Sequence, residues 1–344
     1  ENLTPTQGAC SQDAGATVTT IAGNGTIGAA NQASGGTTSA TLASPAGMVS
    51  AGSGVLFFTD SSTSRIRKIT LSTSTATLAG TGSPGYVEGS SPLFSGPQAI
   101  ALNSAGNLVV ADTNNHKVRI FNPTTQVSSF LAGSTQGNAG AIGTVATAIR
   151  FNVPRGIAVS PTTGRIAVGD SQNNRIVFLN QSTGEITFIA GQTSGGYTNG
   201  TGPAAQFNYP TGLAFDSAGD LYVADSQNHA IRKVSIATGA VTTIAGNGTQ
   251  GTADGNGASA RFSSPRALVV ASDGTIYVSD SGNNLIRKID TGGTVSTIAG
   301  SGTAGFADGT GAEAQFSNPT GIAIGSDGKL YVSDQGNHLS LIHI

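Results

Sequence analysis

The chain has 344 residues, 16 basic and 18 acidic side chains, and a formal net charge of −2. This balance argues against the basic face that binding to nucleic acid or to an anionic membrane surface requires, so RNA binding is the weakest alternative. The length would suffice for two average domains, but closed all-β folds of this size form one domain. No apolar run reaches the length of a transmembrane helix. The sequence therefore predicts one domain without a membrane span and without a nucleic-acid partner.

The first predicted elements are a tail and a single strand. Residues 1–16 are polar and are predicted to form a tail, followed by one domain over residues 17–344. Residues 16–23 form the first strand-like segment, and they match the end of later repeats, such as residues 241–246. This strand precedes the first complete repeat, so it needs a partner from elsewhere in the chain.

Six copies of one pattern follow this strand. Each copy has four short runs rich in Val, Ile, Thr, Tyr and Phe, separated by Gly, Asn, Asp, Ser and Pro, which is typical of strands and turns. In the fourth copy the runs are residues 212–215, 221–224, 230–234 and 240–244. Two markers recur about every 55 residues, and such a period indicates a solenoid or propeller. The markers are Pro45, Pro97, Pro154, Pro210, Pro265 and Pro319, and Asp60, Asp112, Asp170, Asp225, Asp280 and Asp334.

The pattern predicts an all-β fold, a six-bladed β-propeller of four-stranded blades. No segment keeps the 3.6-residue apolar period of a long helix. A single blade cannot bury both faces of its sheet, whereas blades packed around an axis can. The sixth copy lacks its fourth run, and residues 18–22 are expected to supply it and close the ring. One phenylalanine per copy is predicted to pack between blades: Phe94, Phe151, Phe207, Phe262 and Phe316.

Three motifs of the fourth copy carry a family resemblance. Leu221-Tyr-Val-Ala-Asp225, Asn228-His229 and Ile231-Arg-Lys233 resemble the NHL repeat, whose Asn-His-Leu triplet stands here at residues 337–339. The chain is similar in particular to secreted bacterial NHL-repeat proteins with a glycine-rich insert before each blade, such as residues 299–316. The resemblance implies a six-bladed propeller. It does not imply one function, because relatives include protein-interaction modules, RNA binders and a few enzymes.

The repeated polar residues are interpreted as structural. Asp and Asn side chains bond to local backbone and favour turns, so they are expected to lock the hairpin between the second and third strands. A threefold zinc site is the alternative for His116, His229 and His338, which share one repeat position, but this hairpin lies too far from the axis for one ion to reach three rings. The predicted structural set is Asp60, Asp112, Asp170, Asp225, Asp280, Asp334, Asn228 and His229.

No cofactor and no metal ligands are predicted. The glycine-rich inserts lack the spacing of a phosphate-binding loop and the helix that follows it. Calcium stays open as the one cofactor alternative, at the insert loops that contain Asp254 and Asp308. Those loops lack the dense set of acidic ligands that calcium prefers.

The most informative position is the residue after each blade proline, because it varies while its neighbours do not. It begins the innermost strand, so these residues are expected to surround one mouth of the central channel. Two of them are arginines, which suit recognition of a carboxylate or phosphate. The predicted ligand-binding set is Gln98, Arg155, Thr211, Arg266 and Thr320. The equivalent residue of the first copy is Ala46.

These observations favour a non-catalytic binding or scaffold propeller that is extracellular or in the cell envelope. Loops on a rigid scaffold are common binding surfaces, and no reactive constellation is apparent, so no catalytic residue is predicted. The expected partner is a protein, a glycan or a small anionic ligand, and the propeller is expected to be monomeric. The alternative is a metal-dependent propeller lyase or hydrolase with its site in the central channel.

Overall fold

A computed structural model describes residues 16–31 and 39–343 of the chain. All but the last residue of the predicted polar tail, residues 1–16, lies outside the described part. Strand β1 is Thr17–Ala22.

The next three sheets each contain four antiparallel strands in chain order. The first contains β2 (Pro45–Ser50), β3 (Val55–Asp60), β4 (Arg65–Thr70) and β5 (Ser74–Ala79). The second contains β6 (Ala99–Leu102), β7 (Leu108–Asp112), β8 (Lys117–Asn122) and β9 (Val127–Ala132). The third contains β10 (Pro154–Val159), β11 (Ile166–Asp170), β12 (Arg175–Leu179) and β13 (Ile186–Gly191).

The last three sheets each contain five strands. The fourth contains β14 (Gly200–Thr201), β15 (Pro210–Phe215), β16 (Leu221–Asp225), β17 (Ala230–Val234) and β18 (Ala240–Ala245). The fifth contains β19 (Gly255–Asn256), β20 (Ala267–Val270), β21 (Ile276–Asp280), β22 (Leu285–Ile289) and β23 (Thr294–Ala299). The sixth contains β24 (Gly309–Thr310), β25 (Pro319–Ile324), β26 (Leu330–Asp334), β27 (Leu339–His343) and β1.

The predicted fold class, a six-bladed propeller of four-stranded blades, is wrong in giving every blade the same make-up. In the last three sheets the glycine-rich insert returns along the outer edge and adds a two-residue strand to it. The physical reason is that an outer edge strand presents unpaired N–H and C=O groups, which this short strand satisfies. Two paired residues carry no periodic pattern, so these short strands could not be predicted.

Short 3-10 helices occur in two places. Five follow the aspartate that ends the second long strand of the last five sheets, and each is followed by a His or Asn in the left-handed region that these residues tolerate. They are Thr113–Asn115, Ser171–Asn173, Ser226–Asn228, Ser281–Asn283 and Gln335–Asn337. Four others lie in the inserts, at Ala146–Ala148, Gly202–Ala204, Gly257–Ser259 and Gly311–Glu313.

The innermost strands surround one central channel. Each of β2, β6, β10, β15, β20 and β25 contacts the next, and β25 contacts β2 in turn. The pairing predicted for residues 18–22 is present, because β1 lies antiparallel to β27 with Thr19 opposite His343 and Ala22 opposite Ser340. The two ends of the domain are thus joined by ladder hydrogen bonds.

The hydrophobic core lies between neighbouring sheets, and each cluster draws on two of them. The five phenylalanines predicted to pack between blades are all fully buried, which confirms that prediction. This packing sets where the starts of the inner strands lie around the channel.

Candidate functional site: the central channel

The blade aspartates fix the chain just before each inner strand. In the fourth sheet, one carboxylate oxygen of Asp225 accepts a hydrogen bond from the Asn208 backbone N–H (2.7 Å). The other accepts from the Asn228 amide (2.8 Å) and from the Arg232 guanidinium (2.8 Å). The equivalent backbone bond is made by every other blade aspartate: Asp60, Asp112, Asp170, Asp280 and Asp334. The aspartate therefore positions the residues that begin the inner strand.

A buried arginine partners the aspartate in five sheets, and the sequence reasoning missed it. Arg232 is 0% exposed and also donates hydrogen bonds to the carbonyls of Gln206 and Thr198 in the insert. These bonds hold the insert against the blade. The signal in the sequence was an arginine inside a strand, seven residues after the aspartate in four of these sheets and five residues after it in the third sheet. The buried arginines are Arg67, Arg119, Arg175, Arg232 and Arg287.

Burial perturbs the ionisation of these aspartates. Desolvation raises the pKa of Asp60, Asp170, Asp225 and Asp280 to about 6, although the neighbouring arginine opposes the shift. Burial raises the pKa of Asp334 to about 7. Its bonds come from the Ser317 backbone and the Asn337 amide, without an arginine among the described side chains.

The His or Asn after each 3-10 helix ties its blade to the next one. The Nδ1 atom of His229 accepts a hydrogen bond from the Ser264 backbone N–H (3.0 Å), just before the next inner strand. His338 does the same to Ser44 and so bridges the last and first sheets (3.4 Å). His116, Asn174 and Asn284 make the equivalent bonds to Val153, Tyr209 and Asn318. Burial lowers the pKa of His116 and of His229, which suits a neutral acceptor. These rings serve the interblade contacts rather than one shared ion.

The residues after the blade prolines line one narrow cavity of about 100 Å³. In four of the inner strands the residue that lines the cavity is followed by a glycine, which lets neighbouring blades approach closely. A Cβ atom on Gly156 would lie 2.0 Å from the Thr211 carbonyl oxygen, and one on Gly321 would lie 2.0 Å from that of Ala46. The structure brings all six residues of the predicted ring to this cavity: Ala46, Gln98, Arg155, Thr211, Arg266 and Thr320.

The two threonines of the ring direct their hydroxyls into the protein. The Thr211 hydroxyl donates to the Arg266 carbonyl of the next blade (2.9 Å), and it also bonds the Ser226 hydroxyl (2.6 Å). The Thr320 hydroxyl donates to the Pro45 carbonyl (3.1 Å). Both are buried. Their observed contacts join blades across the mouth.

The two arginines of the ring differ from all the buried ones. Arg155 and Arg266 are half-buried, and within residues 16–31 and 39–343 neither guanidinium has a hydrogen-bond acceptor or a carboxylate partner. Arg155 lies over the ring of Tyr209, 5.5 Å from its centroid. Burial, and then the charge of Arg155, lower the pKa of Arg266, yet an arginine remains protonated at neutral pH. The mouth therefore holds two neighbouring positive charges without a counter-charge.

A ring of large apolar side chains lines the channel beneath this mouth. It is formed by the residue three positions after each blade proline, and each member is buried. The apolar ring consists of Met48, Ile100, Ile157, Leu213, Leu268 and Ile322, which line both this cavity and a second one beyond it. A charged group that enters the mouth would be stopped there, because apolar walls offer no substitute for its hydration.

The insert carboxylates considered for calcium have protein partners. Asp254 forms an ion pair with Arg287 (2.7 Å) and accepts from the Thr297 hydroxyl. Asp308 accepts from the Thr20 backbone N–H and hydroxyl. In the part of the chain that the structure describes, no three His, Cys, Asp or Glu side chains stand close enough to share a metal ion. No helix in that part has the length and apolar character needed to cross a membrane.

The family model for the NHL repeat matches this chain five times. The matched residues are 94–121, 151–177, 207–234, 262–289 and 316–339. The prediction of six NHL blades is therefore wrong, since five fit the repeat and the first sheet does not. The difference has a visible cause: Thr63 and Ser64 stand in the first sheet where the later sheets have Asn followed by His or Asn, and the 3-10 helix is absent from this described hairpin.

One curated relative and two solved structures show the extent of the likeness. The protein SUPPRESSOR OF QUENCHING 1, chloroplastic, of Arabidopsis thaliana is 32% identical over 277 residues, which cover 76% of this chain and 26% of that protein. The chain thus spans about a quarter of this relative. An auxiliary nutrient binding protein from Bacteroides thetaiotaomicron VPI-5482 has a TM-score of 0.73 at 17% identity, over 97% of this chain and 77% of that one. A streptogramin B lyase has a TM-score of 0.54 at 15% identity, over 91% of this chain and 96% of that one. At such identities these structures show the fold alone.

Proposed function

The chain belongs to the NHL-repeat β-propeller family, and on that premise we propose that it is a non-catalytic binding propeller. Its channel mouth takes an anionic group of a ligand between Arg155 and Arg266. The ligand is a small organic acid or an acidic group on a protein or glycan.

One observation carries this proposal, namely that the two mouth arginines have no counter-charge among the described residues, while the five buried arginines of the blades each have a carboxylate partner. Arg232 and Arg287 each have a carboxylate within 2.9 Å, whereas Arg155 and Arg266 have none among the described residues. A half-buried cation that has lost part of its hydration gains free energy from an anionic partner. The guanidinium fork suits a planar carboxylate or a phosphate oxygen pair.

The shape of the mouth limits what can enter. A cavity of about 100 Å³ admits a carboxylate or phosphate group but not the body of a larger molecule. Gln98 lies on the same rim and offers a neutral amide beside the two cations. The rest of the ligand would therefore stay outside the channel, against the loops on this face, where binding surfaces commonly occur.

An extracellular or cell-envelope location is part of the proposal. Its support is compositional: only 10% of the residues are charged, and Gly, Ser, Thr and Asn are abundant. Fractionation of cells that express the complete gene would test it, and recovery of the protein from the cytoplasm alone would contradict it.

The test compares one acid with its neutral analogue. Succinate is expected to raise the melting temperature and to give a saturable heat of binding in calorimetry, whereas succinamide is expected to do neither, because stabilisation follows occupancy of the folded state. Arg155→Ala and Arg266→Ala should each weaken succinate binding by about tenfold or more, equivalent to about 1.4 kcal/mol.

The matched control is Arg150→Ala, which removes the same charge from an exposed position. It should leave succinate binding unchanged. Equal effects of all three substitutions would mean that net charge, and not the mouth, attracts the anion. The proposal would also be overturned if inorganic phosphate, succinate and a panel of other carboxylates all failed to bind.

A further inference from the structure

A second, larger cavity occupies the opposite end of the channel. Its volume is about 600 Å³, compared with about 100 Å³ at the arginine mouth. Next to the apolar ring, the residue four positions after each blade proline is Ala or Val. These small residues are Val49, Ala101, Ala158, Ala214, Val269 and Ala323, and all line the cavity.

The lining of this cavity carries no charged side chain. Most of it is aliphatic, with Phe215 as the one aromatic member. The polar side chains are hydroxyls and one amide: Ser50, Ser104, Ser160, Thr162, Thr163 and Gln181. An ion entering here would lose hydration without gaining a charged partner, so the wall selects for a neutral molecule.

The hydroxyls are concentrated on one side, in the turn between β10 and β11. The Ser160 hydroxyl lies 3.1 Å from that of Thr162 and accepts from that of Thr163 (3.0 Å). The Gln181 side chain lies beside Gly164 in the same wall. A few grouped polar atoms in an otherwise apolar pocket are the usual means by which a site orients its ligand.

The inner strands add neutral polar groups around the wall. Each of β2, β6, β10, β15, β20 and β25 is the last strand of its sheet, so one side of its backbone faces the channel rather than a ladder partner. Backbone N–H and C=O groups at such an edge require hydrogen bonds. A ligand with uncharged donors and acceptors can supply them.

We propose that this second cavity is a binding site for a neutral, mostly apolar small molecule that carries hydroxyl or amide groups. The volume lies in the range of small-molecule sites, about 300–1,000 Å³. The apolar ring of Met48, Ile100, Ile157, Leu213, Leu268 and Ile322 lies between this cavity and the mouth that holds Arg155 and Arg266. We expect removal of the two arginines to leave binding in this cavity unchanged. This site goes beyond the proposed anion binding and does not depend on it.

The first test uses the neutral fluorophore N-phenyl-1-naphthylamine. Its emission should rise saturably with one site per chain. Ala101→Phe and Ala214→Phe, which fill the cavity, should weaken binding by about tenfold or more. The matched control Ala237→Phe adds the same ring at an exposed turn and should change nothing. The double variant Arg155→Ala/Arg266→Ala should also bind the probe normally.

A second measurement keeps the test valid even if a cavity-filling variant misfolds. The chain has no tryptophan, so Thr162→Trp places a single donor at the exposed rim. Energy transfer from this donor to the bound probe should exceed that from Ala237→Trp. The charged analogue 8-anilino-1-naphthalenesulfonate should bind about tenfold or more weakly than the neutral probe. Absence of saturable binding, equal transfer from both donors, or equal affinity for the charged probe would overturn the proposal.

Discussion

Replacing Arg232 by Met should destabilise the propeller strongly, because this side chain holds an insert against its blade. The guanidinium is fully buried and donates to Asp225, Gln206 and Thr198, and to the amide oxygen of Asn199 (2.9 Å). It also lies over the rings of two aromatic residues of the insert, with centroids at 5.1 and 5.3 Å. Methionine keeps much of the volume but none of the donors.

The size of the effect follows from the aspartate that remains. Asp225 is 0% exposed and would lose its only cationic partner among the described residues. Breaking a buried ion pair by removing one partner costs about 3–5 kcal/mol, because it leaves an uncompensated buried charge. Replacing both partners is milder, so Arg232→Met/Asp225→Asn should recover a substantial part of the loss.

The loss should depend on pH with a definite sign. The pKa of Asp225 is already raised by burial from 3.8 to about 6, and the charge of Arg232 opposes that shift. Without Arg232 the folded-state pKa rises further. A group whose pKa is higher in the folded state stabilises it below the unfolded pKa and loses that contribution as pH rises through the folded pKa. The deficit of Arg232→Met should therefore be larger at pH 8 than at pH 5.

Urea denaturation followed by circular dichroism at the two pH values measures both quantities. Arg150→Met, at an exposed position, is the matched control and should change the free energy of unfolding by less than about 0.5 kcal/mol. A loss below about 1 kcal/mol for Arg232→Met, or a loss equal at pH 5 and pH 8, would show that this arginine does not compensate the buried charge of Asp225.

Three further predictions concern the inner strands and the contacts that hold the blades together. Gly156→Ala should reduce the free energy of unfolding in urea by about 1–3 kcal/mol, because its Cβ would lie 2.0 Å from a backbone oxygen of the next blade. Gly292→Ala, at an exposed turn, should leave the free energy of unfolding unchanged, and equal losses for the two variants would contradict the close approach. His229→Asn should hardly change the stability measured by thermal unfolding, since Asn fills this position in two other blades. His229→Leu should cost about 1–2 kcal/mol, because it leaves the backbone N–H of Ser264 without an acceptor. A large loss for the Asn variant would contradict the role of this side chain as a hydrogen-bond acceptor. Asp334, with its pKa raised to about 7, should make the protein less stable as pH rises from about 4 to 7, and carboxyl ¹³C shifts that show it titrating near pH 4 would disprove this.

The repeat and its closure could be predicted from the sequence because they depend on local periodicity. The regular spacing of Pro210 and Asp225 with their counterparts marks where each inner strand begins and each second strand ends. The match of residues 16–23 to the end of later repeats predicted a pairing that links residues 288 or more apart in the chain. The position of Arg155 and Arg266 at the channel mouth followed from the same spacing, because each stands directly after a blade proline.

Other features could not be predicted, because they depend on contacts between distant parts of the chain. Arg232 lies beside Lys233 on a strand, and nothing local showed that three of its acceptors lie in the insert. The two-residue strand Gly200–Thr201 is too short to carry a pattern. The hydroxyls of Thr211 and Thr320 looked available for a ligand, but they bond the backbone of neighbouring blades, which only the packed ring reveals.

A crystal structure of the protein grown with succinate would show directly whether the mouth binds an anion. Density for a carboxylate is expected within hydrogen-bond distance of the guanidinium groups of Arg155 and Arg266, above the apolar ring. Succinate bound only at other surfaces, or a mouth that holds only water while calorimetry reports binding, would contradict this expectation.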